Sequence, residues 1–201
     1  MTTPDTTPTT DGRHARRERG RQAVVEALIE LVFEGHIPPA VGAVAERAGV
    51  SVASIFRYFD TIEDLRRDAS VLYLERHALM FAIPKSGHGT LDERIQTFVG
   101  ARLSLYEKNE PFARLVRLRA ANSVDLDEFL QQMRCSRADQ IRHHFGPELA
   151  QRSRAERDDV VTILATLTSF ESWDIARNSL ARSRQQLRRS WVATLRRLLA
   201  T

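Results

Sequence analysis

The sequence contains a single cysteine, Cys135, so no disulfide bond can form within the chain. It has no apolar run close to the roughly 18 residues that a membrane-spanning helix needs. Residues 1–12 are rich in threonine, proline and aspartate and lack the apolar segment of a signal peptide. These absences argue against a disulfide framework and a membrane span, and they predict a cytoplasmic protein.

The sequence also lacks the motifs of common catalytic sites. It has neither a glycine-rich phosphate loop nor a Gly-x-Ser-x-Gly elbow. His143, His144 and Cys135 do not have the spacing of a metal site, and a solvated helix face explains them better. We therefore expect no metal, no cofactor and no enzymatic activity, with an enzyme that retained a regulator's fold as the alternative.

Positive charge is unevenly distributed. Lysine and arginine number 30 against 26 acidic residues, and only Lys85 and Lys108 are lysines. The resulting net charge of +4 is compatible with nucleic-acid binding without requiring it. Arginines cluster in residues 13–21 and again in 182–197. The first cluster fits a nucleic-acid contact and a solvated helix face equally well, whereas the second favours a solvated face.

Apolar residues recur at helical spacing, and no segment shows the alternation of a strand, so the predicted fold is all-α. Two segments, 90–93 and 153–156, have the form of capping boxes that open helices. The predicted helices cover residues 13–33, 40–48, 51–57, 61–81, 90–108, 111–119, 126–145, 153–178 and 184–200.

Residues 40–59 have the pattern of a helix-turn-helix. The small residues Ala45 and Ala48 let two helices cross closely, and Gly49 tolerates the positive φ of the turn. Val50 would fill the core below the turn, and Ser51 can cap the second helix. We expect that helix to present Val52, Ala53, Ser54 and Arg57 outward. We expect it to use Ile55, Phe56 and Phe59 for apolar packing. A three-helix bundle without a DNA role has the same spacing.

Three stretches resemble the TetR family of bacterial regulators: 45–51 (AERAGVS), 56–59 (FRYF) and 63–65 (EDL). The similarity is specific over residues 24–65 and is limited to the order of helices beyond them. It implies a homodimer with an N-terminal DNA-binding domain and a C-terminal domain that holds a small-molecule effector. We accordingly expect a disordered tail (1–12), a three-helix helix-turn-helix domain (13–60) and a ligand-binding and dimerisation domain (61–201), joined through the long helix after Thr61.

The resemblance makes Tyr58 the tyrosine that hydrogen-bonds a DNA phosphate. Arg57 is the one long donor on the recognition helix and can reach guanine or phosphate. The alternatives are a core aromatic for Tyr58 and a solvated charge for Arg57. The residues expected to contact DNA are Arg16, Arg17, Ser51, Val52, Ala53, Ser54, Arg57, Tyr58 and Thr61.

The sequence departs from the family where phosphate donors are common. Family members often have a threonine at the start of the second helix, and lysines in the recognition helix and near the start of the fourth. The residues at those places are Pro39, Ala40, Val52 and Ile62. A basic arm before the first helix could compensate by following the backbone or entering a minor groove. The arginines of that arm are Arg13, Arg16 and Arg17.

The last two long helices carry stripes of small or apolar residues. The resemblance favours a four-helix dimer interface made by these helices from both subunits, which suits a palindromic operator. The alternative is packing within one chain. The residues expected at the interface are Val161, Ala165, Thr168, Ser172, Leu187, Trp191 and Leu195.

The middle helices would enclose the effector, and their apolar side chains suggest a mostly apolar molecule. The apolar candidates are also consistent with plain core, and the polar ones with surface groups or structural pairs. The candidates are Phe98, Arg102, Tyr106, Leu115, Arg119, Phe129, Met133, Phe170 and Trp173.

The sequence thus predicts a DNA-binding transcription regulator, a repressor that an effector releases from a palindromic operator. One alternative is a regulator without a small-molecule effector, switched by a protein partner. Another is a helical adaptor that binds only protein.

Overall fold

A computed structural model describes residues 10–200 and divides into two compact units between Ala78 and Leu79. Every regular element within residues 10–200 is helical, which confirms the predicted all-α fold. The elements are α1 (Thr10–Phe33), α2 (Val41–Arg47), α3 (Val52–Tyr58), α4 (Ile62–Arg76), α5 (Ala78–Phe81), α6 (Leu91–Ala120), α7 (Val124–His144), α8 (Gly146–Ala150), α9 (Arg154–Leu167), α10 (Phe170–Asp174), a π-helical turn (Ile175–Ser179) and α11 (Arg184–Leu199).

The N-terminal boundaries differ from the predicted ones. Of the segment 1–12 expected to be a disordered tail, residues 1–9 lie outside the described residues, and residues 10–12 are the first of α1. Helix α1 therefore begins before Arg13, its predicted start. The two units divide after Ala78 instead of after Asp60, because α4 packs against α1 within the first unit.

In the first unit, α2, α3 and α4 all pack against α1. Each fully buried aliphatic or aromatic side chain there contributes about 1.5–3 kcal/mol. The buried side chains include Val24, Leu28, Leu31, Val32, Val44, Ile55, Phe59, Leu65 and Tyr73. Arg21 of α1 forms an ion pair with Asp68 of α4, and its Cζ lies 4.9 Å from the centre of the Phe59 ring. This packing fixes α3 on the surface of α1.

Helix α4 ends earlier than predicted. The sequence pattern places one helix from Thr61 to Phe81, whereas the structure ends α4 at Arg76 and begins α5 at Ala78. The interruption is His77, whose backbone leaves the helical region (φ −114°, ψ 20°) and whose ring lies 4.6 Å from that of Tyr73. No glycine or proline marks this position, so the break had no sequence signal.

In the second unit, α6 runs unbroken for 30 residues and contains Pro111. The prediction of one helix ending at Lys108 and another starting at Pro111 is therefore wrong. A proline inside a helix costs about 3 kcal/mol or more. Buried side chains on both sides of Pro111, among them Tyr106, Phe112 and Leu115, offset that cost.

The helix predicted over 153–178 is also divided, after Leu167. The Thr168 hydroxyl donates to the Leu164 carbonyl (2.7 Å), and the Ser169 hydroxyl accepts from the Ser172 amide (3.1 Å) to cap α10. Such local hydrogen bonds let Ser and Thr compete with a continuing helix. The capping boxes predicted at Thr90 and Ser153 are both confirmed.

The core of the second unit is formed mainly by α6, α7, α9, α10 and α11. A buried histidine, His144, joins α7 to the loop before α6: Gly87 N–H donates to its Nδ1 (3.2 Å), and its Nε2 is 2.9 Å from the Arg94 carbonyl. Because Nδ1 accepts, the proton lies on Nε2 and the ring is neutral. Burial lowers the pKa of His144, as do the nearby positive charges of Arg94 and Arg102. None of the helices described above combines the length and the apolar character needed to cross a membrane.

Candidate nucleic-acid interface

The turn between α2 and α3 has the geometry expected of a helix-turn-helix. Gly49 adopts a φ of +66°, which favours glycine. The Val50 amide donates to the Ala45 carbonyl (3.0 Å), and the Ser51 hydroxyl accepts from the Ser54 amide (3.1 Å) as the cap of α3. The roles predicted for Gly49 and Ser51 in the turn are confirmed.

Helix α3 turns one face to the core and the other to solvent. Ile55 and Phe59 are buried, as expected, while Val52, Ala53 and Arg57 are exposed. Phe56 was expected inside, but 52% of it is exposed. The reason is spacing: Ile55 and Phe59 are four residues apart on one face, and Phe56 is turned away from it. The recognition surface therefore includes an aromatic side chain that the sequence pattern placed in the core.

Polar side chains on α3 form a hydrogen-bonded row. The Ser51 and Ser54 hydroxyl oxygens are 3.0 Å apart, and Arg57 Nη2 donates to Ser54 Oγ (2.8 Å). Arg57 remains exposed at the C-terminal end of the row. Its unused N–H groups can reach guanine or phosphate oxygens.

Tyr58 is half-buried between α3 and α1. Its ring lies so close to Gly20 that a Cβ at that position would be 2.5 Å from the Tyr58 hydroxyl oxygen and 2.8 Å from Cζ. A larger residue at position 20 would require the end of the Tyr58 side chain to move. Because α1 supports its ring from one side, Tyr58 is partly a packing residue, and its contact with a DNA phosphate stays a prediction.

The arginines expected on an N-terminal arm lie on helix α1 instead. Arg16 Nε donates to the Gly12 carbonyl (3.3 Å), and Arg17 Nη2 donates to the Arg57 carbonyl (3.2 Å). Arg13, Arg16 and Arg17 are exposed. Because residues 10–33 are helical, these side chains form a basic face beside the end of α3, and the expectation of an arm before the first helix is wrong.

Thr61 serves as the cap of α4. Its hydroxyl donates to Asp64 Oδ2 (2.7 Å) and accepts from the Asp64 amide (3.1 Å). Hydrogen bonding from Thr61 lowers the pKa of Asp64, so this carboxylate stays ionised at neutral pH. Since the hydroxyl proton is already committed, the DNA contact predicted for Thr61 is not supported.

The second unit brings together part of the predicted effector set. Phe98, Arg102, Tyr106, Phe170 and Trp173 are buried in its core, as is Leu115. Arg119, Phe129 and Met133 are half-buried. Two surface cavities lie elsewhere, one of about 470 Å³ bordered by residues such as Arg142 and Arg157, and one of about 310 Å³ bordered by Arg134 and Arg137. None of the nine predicted residues borders either cavity.

The residues predicted at the dimer interface lie mostly inside the chain. Val161, Thr168, Leu187, Trp191 and Leu195 are all buried in a single copy, and Ala165 and Ser172 are half-buried. They pack against the core because they lie on the inner faces of α9, α10 and α11. Packing within one chain, the alternative considered from sequence, describes them better. The outer faces of α9 and α11 expose other residues, including Thr162, Ile163, Thr166, Arg189 and Ala193.

Residues 40–69 match the model of the bacterial regulatory proteins of the tetR family. Among solved structures, a tetR-family transcriptional regulator from Streptomyces coelicolor superimposes with a TM-score of 0.71 at 20% identity, covering 90% of this chain and 80% of that one. A transcriptional regulator from Rhodococcus sp. Rha1 superimposes with a TM-score of 0.64 at 15% identity, covering 89% and 95%.

No curated protein sequence matches the chain. At these identities the solved structures establish the shared fold, and the matched segment 40–69 contains α2, α3 and their turn. Residues 40–69 thus carry the helix-turn-helix segment described for the bacterial regulatory proteins of the tetR family, and the chain shares the fold of the two transcriptional regulators.

Proposed function

We propose that this protein is a DNA-binding transcription regulator, a cytoplasmic repressor that binds a palindromic operator as a homodimer and is released by a small molecule. The observation that carries the proposal is the exposed face of α3, where Ser54, Phe56 and Arg57 lie beside the supported ring of Tyr58. A helix of this size enters the major groove of B-DNA.

The side chains divide into two sets of DNA contacts. Arg57 and the serines of α3 can donate to base edges, and Phe56 can pack against a thymine methyl group. Tyr58, Arg16 and Arg17 would hold phosphates, which set the register without reading sequence. The link from Arg17 to the Arg57 carbonyl places the basic face of α1 next to the recognition helix.

For the dimer we propose the outer faces of α9 and α11 in place of the buried stripe predicted from sequence. Ile163 is 48% exposed there, and Thr162, Thr166 and Ala193 are small enough for two helices to approach closely. A two-fold axis through this surface would make the contact self-complementary. Sedimentation equilibrium of Ile163→Arg against the exposed control Val71→Arg tests it, since only the former should yield monomers.

The second unit would carry the effector site. Because half-sites are separated by about 34 Å of DNA, a ligand that shifts the distance between two recognition helices by a few ångströms would abolish binding. It can do so only if it binds one of the two arrangements more tightly. The alternative is a regulator that a protein partner switches, in which case no small molecule would release the operator.

The sign of regulation is tested with a reporter gene placed behind an operator obtained by selection from random DNA. In a bacterial host, expression of the protein should lower reporter output, and Arg57→Ala should restore it. Raised output would identify an activator and overturn the repressor proposal while leaving DNA binding intact.

A further inference from the structure

The Arg102 guanidinium is a buried charge without a carboxylate partner. Arg102 is only 2% exposed, and its Nη2 has neither solvent access nor a hydrogen-bond partner. No side-chain hydrogen bond or ion pair described within residues 10–200 involves Arg102. The guanidinium lies over the face of Phe98, with 5.0 Å between Cζ and the ring centre.

Such a charge is costly in a folded protein, because the guanidinium has lost water without gaining an anion. Burial lowers the pKa of Arg102 to about 10, with the charge of Arg137 acting in the same direction. The group therefore remains protonated at neutral pH. A buried guanidinium whose Nη2 has no acceptor can bind an anion through a charge-assisted hydrogen bond.

A second arginine connects this charge to the surface. Arg137 of α7 lies over the ring of Tyr106, with 5.5 Å between Cζ and the ring centre, and it borders the 310 Å³ cavity. No ion pair described for residues 10–200 involves Arg137. Because the charge of Arg137 also acts on Arg102, one region contains two guanidinium groups for which no ion pair is described within residues 10–200.

The nearby carboxylate does not neutralise them. Glu171 accepts from Arg117 Nε (3.0 Å) and from Arg134 Nη2 (3.2 Å). Although burial raises the pKa of Glu171, the hydrogen bond from Arg117 and further donors lower it to about 2, so the carboxylate is ionised, and two arginines share its Oε1. The ion pairs described for this carboxylate within residues 10–200 are with Arg117 and Arg134, and neither Arg102 nor Arg137 is among them.

A second unpaired buried donor belongs to the aromatic cluster beside these arginines. Trp173 Nε1 is buried without an acceptor, and its ring lies 6.0 Å from Tyr106 and 5.4 Å from Phe170. The Tyr106 hydroxyl donates to the Thr168 carbonyl (2.6 Å). Both unpaired groups, on Arg102 and Trp173, need an acceptor, and the side chains between them are aromatic.

We infer that the region of Arg102, Arg137 and Trp173 binds an organic carboxylate, with its anionic end on the guanidinium groups and its apolar body against the aromatic rings. This assigns the effector of the proposed function to an amphipathic anion in place of the mostly apolar molecule suggested by sequence. The inference rests on the proposed function only for regulation, because binding itself can be measured without DNA.

The test measures thermal stabilisation and calorimetric binding of the full chain by three carboxylates, octanoate, 3-phenylpropionate and 2-naphthoate, each against its neutral amide. At least one carboxylate should raise the melting temperature in a saturable way and bind about tenfold or more tightly than its amide, since the amide cannot form a charge-assisted pair. Inorganic phosphate tests whether charge without an apolar body suffices.

The same titrations are repeated on Arg102→Met, Arg137→Met and the surface control Lys108→Met, which removes a charge from the exposed side of α6. The two arginine variants should lose about tenfold or more in carboxylate affinity, and the control should match the wild type. Without ligand, Arg102→Met should melt no lower than the wild type, because it removes an unpaired buried charge. If Arg102→Met fails to fold, the comparison of carboxylates with their amides and the carboxylate affinity of Arg137→Met still test the inference.

Equal binding of amides and carboxylates, unchanged affinity in Arg102→Met, or no binding of any carboxylate at millimolar concentration would each overturn the inference. A carboxylate that binds through Arg102 but does not release the operator would leave the site intact and contradict the release mechanism of the proposed function. The two failures are therefore distinguishable.

Discussion

The ring of Tyr58 rests on the backbone of α1 at Gly20, where a methyl group would lie 2.5 Å from the tyrosine hydroxyl oxygen. This contact joins the last residue of the recognition helix to the helix that supports it. A substitution at Gly20 can therefore change the affinity for DNA separately from the stability of the fold, because it removes no group that touches DNA.

Gly20→Ala should weaken operator binding by about three- to tenfold, because the new methyl group pushes the Tyr58 hydroxyl from its position. The fold should not weaken correspondingly, since alanine favours a helix over glycine by about 1 kcal/mol. Fluorescence anisotropy with operator DNA and thermal unfolding measure the two effects. Tyr58→Phe is the matched control and should lose about tenfold. Unchanged DNA affinity in both variants would remove Tyr58 from the interface.

Phe56→Ala should lower operator affinity by about three- to tenfold and leave thermal stability nearly unchanged, because the side chain is half-exposed and contributes little to the core. Val71→Ala, an exposed apolar residue of α4, serves as the control. A drop in melting temperature without a change in affinity would instead show that Phe56 packs within the protein.

The basic face of α1 should appear in the salt dependence of binding. The double variant Arg16→Ala, Arg17→Ala should reduce the slope of log affinity against log salt concentration by about one for each phosphate that the protein no longer neutralises. Lys85→Ala with Lys108→Ala removes the same charge from the second unit and should leave the slope unchanged. Equal slopes for the wild type and the arginine variant would exclude phosphate binding by this face.

His144 should make the second unit sensitive to acid. Because burial lowers its pKa in the folded state, the unfolded chain binds a proton at a higher pH than the folded chain does. Its stabilising contribution is therefore complete above about pH 6.5 and is lost as the pH falls below that value. Thermal unfolding between pH 5 and 8 should show this decline, and His144→Gln should flatten it. An identical pH profile in the variant would assign the decline to other groups.

Local chemistry in the sequence was sufficient for the helix-turn-helix. Gly49 and Ser51 each satisfy one backbone requirement of the turn, and the capping boxes at Thr90 and Ser153 follow from side-chain hydrogen bonds three residues apart. These features depend on neighbours in the chain. The sequence therefore located the start of most helices to within a few residues.

Features set by tertiary packing were not predictable in the same way. Pro111 suggested a helix boundary, but the buried residues around it keep α6 continuous. Phe56 has the character of a core residue, and only the position of Ile55 and Phe59 against α1 turns it outward. The small and apolar stripe of α9 and α11 indicated a helix contact correctly without showing whether the partner was the same chain.

The measurement that bears most directly on the central claim is selection of bound DNA from a random duplex pool by the purified protein. The wild type should enrich an inverted repeat whose half-sites lie about one helical turn, or a multiple of it, apart, and Arg57→Ala should fail to enrich the same repeat. Binding without any enriched sequence, or identical enrichment by the wild type and Arg57→Ala, would contradict recognition through α3.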